Sequence, residues 1–241
     1  MNIVYAMTHH VYEWILPSMR SLAETNPDAR VFILAEDDEL PFPLPMPAEI
    51  INVRDQTYFA KDSVNYDNDF KYVNLLKVRY PSILPVRKVI HLDIDTIVCG
   101  SLEGLWKTDL TGKWFGAVPE TQTWYRPFGA APYYNMGVAV INLQQMKKDG
   151  IEAAMQEYLS TVKQPFADQD AWNKYATETG KAVAVPNCYN ESGPTGRTEH
   201  PCIVHFCGMK NWFTRTDMPR IEYLNRYREG KHEDTDRRTH I

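Results

Sequence analysis

Two aspartates, Asp93 and Asp95, stand directly after the apolar run Val89-Ile90-His91-Leu92 in KVIHLDIDTIVCG, residues 88–100. An unpaired buried carboxylate is costly to desolvate, and two side by side repel until one takes a proton. Residues i and i+2 of a strand point to the same face, so the spacing predicts that the two carboxylates converge. Three roles suit such a pair: a plain strand-end turn, a nucleophile and acid for phosphoryl transfer, or two oxygen ligands for a divalent cation. Phosphatases of the haloacid-dehalogenase type also carry D-x-D at a strand end. Their threonine falls four residues after the first aspartate, however, whereas here Thr96 follows at three with no glycine between.

Other groups with chemical potential are scattered along the chain. His205 lies in PCIVHFCGMKNW (201–212), where Cys202 and Cys207, with Cys188 upstream, raise a structural zinc site as an alternative. The spacing C-x2-H-x-C lacks the paired C-x2-C knuckle of such sites. A lone histidine at a strand end is by default a structural residue. Joined to Asp93 and Asp95, it makes a credible octahedral site for Mn²⁺ or Mg²⁺ with positions open to phosphate oxygens, and the imidazole favours manganese. Asn135 and Gly137 precede an apolar run in YYNMGVAVINL (133–143), and Asp168 and Gln169 open FADQDAWN (166–173), where an aspartate also serves as a helix N-cap. Lys77 would by default be a solvated surface lysine.

The elements that must position these groups alternate. Apolar runs predict strands at 2–7, 30–35, 50–53, 89–92, 114–118, 137–141, 182–185 and 202–206. Helical periodicity covers 11–25, 70–85 with an end near Pro81, 151–163 and 168–178. Residues 40–49 (LPFPLPMPAE) form an extended connector, and 54–70 read as loop. Strands alternating with helices imply an α/β class, a mainly parallel sheet flanked by helices. Ligands in such folds collect at the carboxyl ends of strands, where Thr8 to Tyr12, Asp93 and Asp95, Glu120, and His205 to Lys210 all fall.

Bulk properties narrow the field. The 241 residues suffice for one domain, here 1–228, with a charged tail at 229–241 that has little to bury. A net charge of -5 offers no electrostatic footprint for nucleic acid, and it suits a protein that holds phosphates through a metal. No stretch approaches the roughly 18 apolar residues of a membrane helix, leaving peripheral membrane contact as the remaining mode. The start MNIVYAMTHHVYEW has no signal-peptide pattern, and four cysteines are too few for a disulfide framework, so a reducing cytoplasm is expected.

Taken in order, four blocks resemble the retaining glycosyltransferases of family 8, the group of glycogenin and lipo-oligosaccharide galactosyltransferases. RKVIHLDIDTIVCGSLEGLWKTDL (87–110) is similar to that family's strand, D-x-D and following L..LW..DL segment. YYNMGVAVINL, ADQDAWN and VHFCGMKNW are similar to its F-N-x-G-V-x-x-I-N-L, D-Q-D-x-x-N and H-F-x-G-x-x-K-P-W blocks. The resemblance spans residues 2 to about 213. It implies a GT-A fold, a Rossmann-like nucleotide-sugar domain, and transfer of a hexose, glucose or galactose, from a UDP-sugar to a carbohydrate or glycoconjugate acceptor.

It also implies roles. Asp93, Asp95 and His205 would hold the metal that bridges the UDP diphosphate, with Ile94 between them. Tyr12 would stack on uracil near Thr8, and Lys77 would bind the donor. Asn135 and Gly137 would line the sugar pocket, and Asp168 would hold sugar hydroxyls. Gln169 would sit by the anomeric carbon, while Gly208 and Lys210 would contact the diphosphate. Two departures stand out: His9-His10 where the family has acidic or amide residues, and a GMKNW one residue short with Asn211 for proline. They keep alive a rival reading, a non-catalytic nucleotide-sugar-binding module of the same fold. A sugar-phosphate nucleotidylyltransferase is disfavoured because YAMTHHVYEW has no glycine. The aromatic stretch 120–134 is a candidate acceptor platform.

Overall fold

The computed structural model describes residues 1–67, 71–122, 125, 127–129, 131–209 and 211–228. Its elements run β1 (Asn2–Ala6), α1 (Ile15–Thr25), β2 (Arg30–Ala35), β3 (Ala48–Asn52), α2 (Lys71–Leu75), α3 (Tyr80–Ile83), β4 (Val89–Leu92), β5 (Thr96–Val98), α4 (Glu103–Trp106) and β6 (Phe115–Pro119). They continue with β7 (Tyr134–Ile141), α5 (Leu143–Asp149), α6 (Ile151–Thr161), α7 (Asp168–Thr179), β8 (Ala182–Ala184), β9 (Ile203–His205) and α8 (Ile221–Arg228). Seven strands form one sheet in the order β3-β2-β1-β4-β7-β6-β8. Its pairings are parallel except at β7, which runs antiparallel to both β4 and β6.

The central strands are buried on both faces, which is why they read as unbroken apolar runs. All of β4 and all eight residues of β7 are buried. Alternate residues feed opposite cores: Val4, Phe32 and Leu34 pack with Trp172 on one face, and Ile3, Tyr5 and Ile33 with Ile15 and Met19 on the other. Ile15, Met19 and Leu22 recur at helical spacing, so α1 buries one stripe on the second core.

Three details differ from the sequence reading and matter to the site. The last expected strand, β9, is not in the main sheet but pairs antiparallel with β5, a strand not expected from the sequence. The long helix expected over 70–85 is α2, a 3₁₀ turn at Leu76–Arg79 and then α3. Pro81 does not end it, because in the first turn of α3 the missing N–H has no intrahelical partner to lose. Likewise a 3₁₀ stretch, His9–Trp14, precedes α1. The charged tail from residue 229 lies outside the described residues.

Candidate active site

Asp93 sits one step beyond β4: its N–H donates to the Gly137 carbonyl at 2.7 Å, prolonging the ladder with β7. The chain then turns, closed by the Thr96 hydroxyl donating to the Asp93 carbonyl at 2.7 Å, and enters β5. Asp93 and Asp95 therefore lie in a turn, and they converge through that turn rather than through a shared strand face. Register brings the third group: Thr96 pairs with His205, and the Phe206 N–H donates to the Asp95 carbonyl at 2.9 Å. His205 Nε2 lies 3.1 Å from Asp95 Oδ1 and 3.9 Å from Asp93 Oδ2. Ligand atoms of the three residues all lie within 4.8 Å of one another.

Gly137 makes room for this cluster. A Cβ there would meet His205 Cε1 at 2.1 Å and Asp93 Oδ2 at 2.8 Å. Two carboxylates and an imidazole, so spaced and backed by a residue with no side chain, fit a hard divalent cation. Burial opposes protonation of His205, but Asp95 and Asp93 outweigh it and hold its pKa above the ordinary value. Among the described residues no cysteine joins such a group, and all four thiols are free. The cysteines and His205 are not assembled as a zinc ligand set, since the His205 nitrogens face Asp95 and Asn190.

Lys77 is not a surface lysine. It lies four residues after Val73 and three before Tyr80, both buried, and is itself 4% exposed, with Nζ 2.9 Å from Asp93 Oδ1 and 3.7 Å from Asp168 Oδ2. His91, also buried, places Nε2 2.8 Å from the same Asp93 oxygen. Burial would raise the Asp93 pKa, yet Lys77 and then His91 hold it well below the carboxylate range. Asp168 goes the other way: burial pushes it up to about 7 despite Lys77, and its Oδ2 has no hydrogen-bond partner among the described residues. Ala167, just before it, is held at φ 49 and ψ -121, a conformation costly to a residue with a Cβ.

Opposite lies a run of amides. Gln169 Oε1 accepts from the Met136 N–H at 2.9 Å, and its Nε2 donates to Glu120 Oε1 at 3.2 Å. Asn135 Nδ2 donates to the same Glu120 oxygen at 3.0 Å. All of this borders one cavity of about 500 Å³. Of the residues expected from sequence, Thr8, Lys77, Asp93, Ile94, Asp95, Asn135, Gly137, Asp168, Gln169, His205 and Gly208 line it. Lys210 lies outside the described residues.

Tyr12 needs correcting. It is 5% exposed and packed in the core, where its hydroxyl donates to Asp37 and accepts from the Glu36 N–H. Val11, whose φ/ψ kinks the 3₁₀ stretch, and Trp14 border the cavity instead. His9 turns to Glu36, 2.6 Å away. Cys207, which sequence reading weighed only for zinc, also lines the cavity. In the aromatic stretch, Trp124 lies outside the described residues, and Tyr125 and Tyr133 both donate to Asp170.

Comparison with known proteins fits this geometry. The profile of glycosyl transferase family 8 matches residues 40–216. A Haemophilus influenzae protein provisionally named a glycosyltransferase is 24% identical over 247 aligned positions, covering 86% of this chain and 71% of its own. The crystal structure of the galactosyltransferase LgtC in complex with donor and acceptor sugar analogs superposes with a TM-score of 0.64 at 22% identity, covering 95% of each chain. An active-site glutamine-to-glutamate mutant of LgtC gives a TM-score of 0.69 at 20% identity over 94% of this chain and 95% of its own. These likenesses establish the GT-A fold.

Proposed function

The chain belongs to glycosyl transferase family 8, and we propose that it is a retaining transferase moving glucose or galactose from a UDP-sugar to a hydroxyl of a carbohydrate or glycoconjugate acceptor. The observation that carries this reading is the Asp93, Asp95 and His205 cluster beside buried Lys77, on the wall of a cavity about 500 Å³ in volume. A divalent cation held there, Mn²⁺ or Mg²⁺, would supply positive charge to the diphosphate as the sugar–phosphate bond breaks.

The chain's own groups divide the remaining work. Lys77 holds Asp93 in place and keeps it ionised. Val11 and Trp14, with Thr8, frame the base. Asp168, whose Oδ2 makes no hydrogen bond among the described residues and lies 3.7 Å from Lys77 Nζ, would take the sugar hydroxyls, and Asn135 and Gly137 would border the sugar. Gly208, at φ 71, would let the backbone after β9 approach the diphosphate, which Lys210 is also proposed to bind. Gln169, anchored by Met136 and Glu120, would stand beside the reacting carbon. An amide is a weak nucleophile, so attack of the acceptor from the face of the departing UDP is the route this residue supports. Residues 1–228 form the one transferase domain in this proposal, and four free thiols suit a cytoplasmic setting.

The test is a panel of UDP, GDP and CMP sugars incubated with Mn²⁺, following both transfer and slow hydrolysis, with the product anomer read by NMR. UDP-glucose or UDP-galactose turnover that stops in excess EDTA is expected. Preference for GDP-mannose would overturn the base assignment, full activity in EDTA the metal role, and an inverted product the retaining mechanism. Binding of UDP-sugar without any turnover would favour the non-catalytic module.

A further inference from the structure

His205 has two ring nitrogens, and only one suits a metal. If Nε2 carries the proton of the neutral ring, it donates to Asp95 Oδ1, 3.1 Å away, and the site closes on itself with no need of a cation. If Nδ1 carries it, a bare Nε2 lone pair faces two carboxylates, an arrangement that only a positive charge satisfies.

The choice follows from one backbone N–H. Gly137 N–H can only donate, and it lies 3.1 Å from one side-chain atom of Asn135, which must therefore be the carbonyl oxygen Oδ1. The other Asn135 atom is then the NH₂, consistent with its contacts to the Glu120 carboxylate at 3.0 Å and Cys207 Sγ at 3.7 Å. Asn190 lies 2.9 Å from that same Asn135 oxygen, so the Asn190 atom there must be its NH₂. The remaining Asn190 atom is an oxygen, 2.9 Å from His205 Nδ1, and an oxygen of this kind only accepts. Nδ1 must supply the proton.

Asn190 is 0% exposed and is clamped in register. The next residue, Glu191, donates its N–H to Ile203 and accepts from the His205 N–H, and its buried carboxylate binds Arg220 at 2.7 Å and 3.1 Å. We propose that Asn190 is a positioning residue: through the chain Gly137, Asn135, Asn190, it fixes His205 as the Nδ1–H tautomer and leaves Nε2 bare for the cation. The inference rests on the metal reading of Asp93, Asp95 and His205.

Two measurements test it. In metal-free protein labelled with ¹⁵N-histidine, taken to a pH above the raised pKa of His205 so that the ring is singly protonated, long-range ¹H–¹⁵N spectra report which nitrogen carries the hydrogen. His205 is picked out from the seven histidines by its loss in His205→Gln. The wild type should show Nδ1–H, and Asn190→Ala should switch to Nε2–H. Calorimetric titration with Mn²⁺ alone should show Asn190→Ala binding about tenfold more weakly, the usual cost of losing such a partner. Asn190→Asp, which keeps an acceptor for Nδ1–H, should recover most of that loss even though its buried charge lowers Tm. A wild-type Nε2–H ring, or undiminished Mn²⁺ affinity in Asn190→Ala, would overturn the proposal. If the wild type binds no Mn²⁺ at all, the metal reading falls, while an Nδ1–H spectrum would still support the tautomer assignment.

Discussion

Lys77→Met removes one positive charge while keeping most of the buried stem. In the wild type the ammonium lies 2.9 Å from Asp93 Oδ1 and 3.7 Å from Asp168 Oδ2, and its side chain is 5% exposed. Taking one partner from a buried ion pair costs about 3–5 kcal/mol, because the charge left behind has lost its water and its counterion. The two carboxylates do not lose equally. Asp168 already titrates at about 7, so near neutral pH it takes up a proton once the lysine is gone and shares little of the penalty. Asp93 keeps His91 at 2.8 Å but loses its cation. The lower end of the range, about 3 kcal/mol, is therefore expected.

For a domain of this size that corresponds to a fall in Tm of roughly 6–12 °C. The assay is thermal unfolding of wild type and variant in EDTA and again in excess Mn²⁺. A cation on Asp93, Asp95 and His205 restores positive charge beside Asp93, so Mn²⁺ should raise the Tm of the variant by more than that of the wild type. Donor KM should rise and kcat fall together. A Tm in EDTA within about 2 °C of wild type would refute the buried-charge reasoning, since it would mean Lys77 reaches water in solution. An equal Mn²⁺ increment in both proteins would refute the link from Lys77 through Asp93 to the cation.

Gly137→Ala should abolish measurable Mn²⁺ binding and lower Tm, because the new methyl would sit 2.1 Å from His205 Cε1; calorimetry that finds normal affinity would show that the ring can move aside. Gln169→Ala leaves the Met136 N–H without its acceptor while Glu120 keeps Asn135, so a loss of about 1–2 kcal/mol in stability is expected alongside a large fall in kcat at unchanged UDP affinity. Unaltered kcat would remove Gln169 from the chemistry. For Asp168 the folded pKa of about 7 lies above the ordinary 3.8, so the folded chain holds this proton more tightly than the unfolded one. The resulting penalty is absent below the unfolded value, grows as pH rises and is complete above about 7, where it reaches roughly 4 kcal/mol. Asp168→Asn should thus gain stability relative to wild type across that window, and parallel Tm curves would contradict it.

The sheet was legible because strands buried on both faces must be apolar throughout, and β1, β2, β4 and β7 contain little else. Local geometry was less so. Lys77 shares the buried helical face of Val73 and Tyr80, yet a lysine there reads as a surface residue until the fold brings Asp93 and Asp168 against it. In the kinked stretch His9–Trp14, Tyr12 lies in the core while Val11 and Trp14 border the cavity. The partners that hold both side chains inside come from other segments of the chain.

The ligands and the residues that aim them leave different traces in a sequence. Asp93, Asp95 and His205 are groups that cost free energy to bury, so their presence at the ends of apolar runs demands a reason and attracts notice. Asn190 demands none. Asparagine is common in turns, and nothing in PNCYNES separates it from an ordinary loop residue. Its meaning comes from partners 15 and 55 residues away, and from a backbone N–H whose direction of donation is fixed by chemistry alone. A chain of neutral amides holding a charged centre is thus hard to find by residue type, even when each link is buried and paired. The metal ligands can be read from composition and position, but the tautomer that makes one of them a ligand is set by the fold.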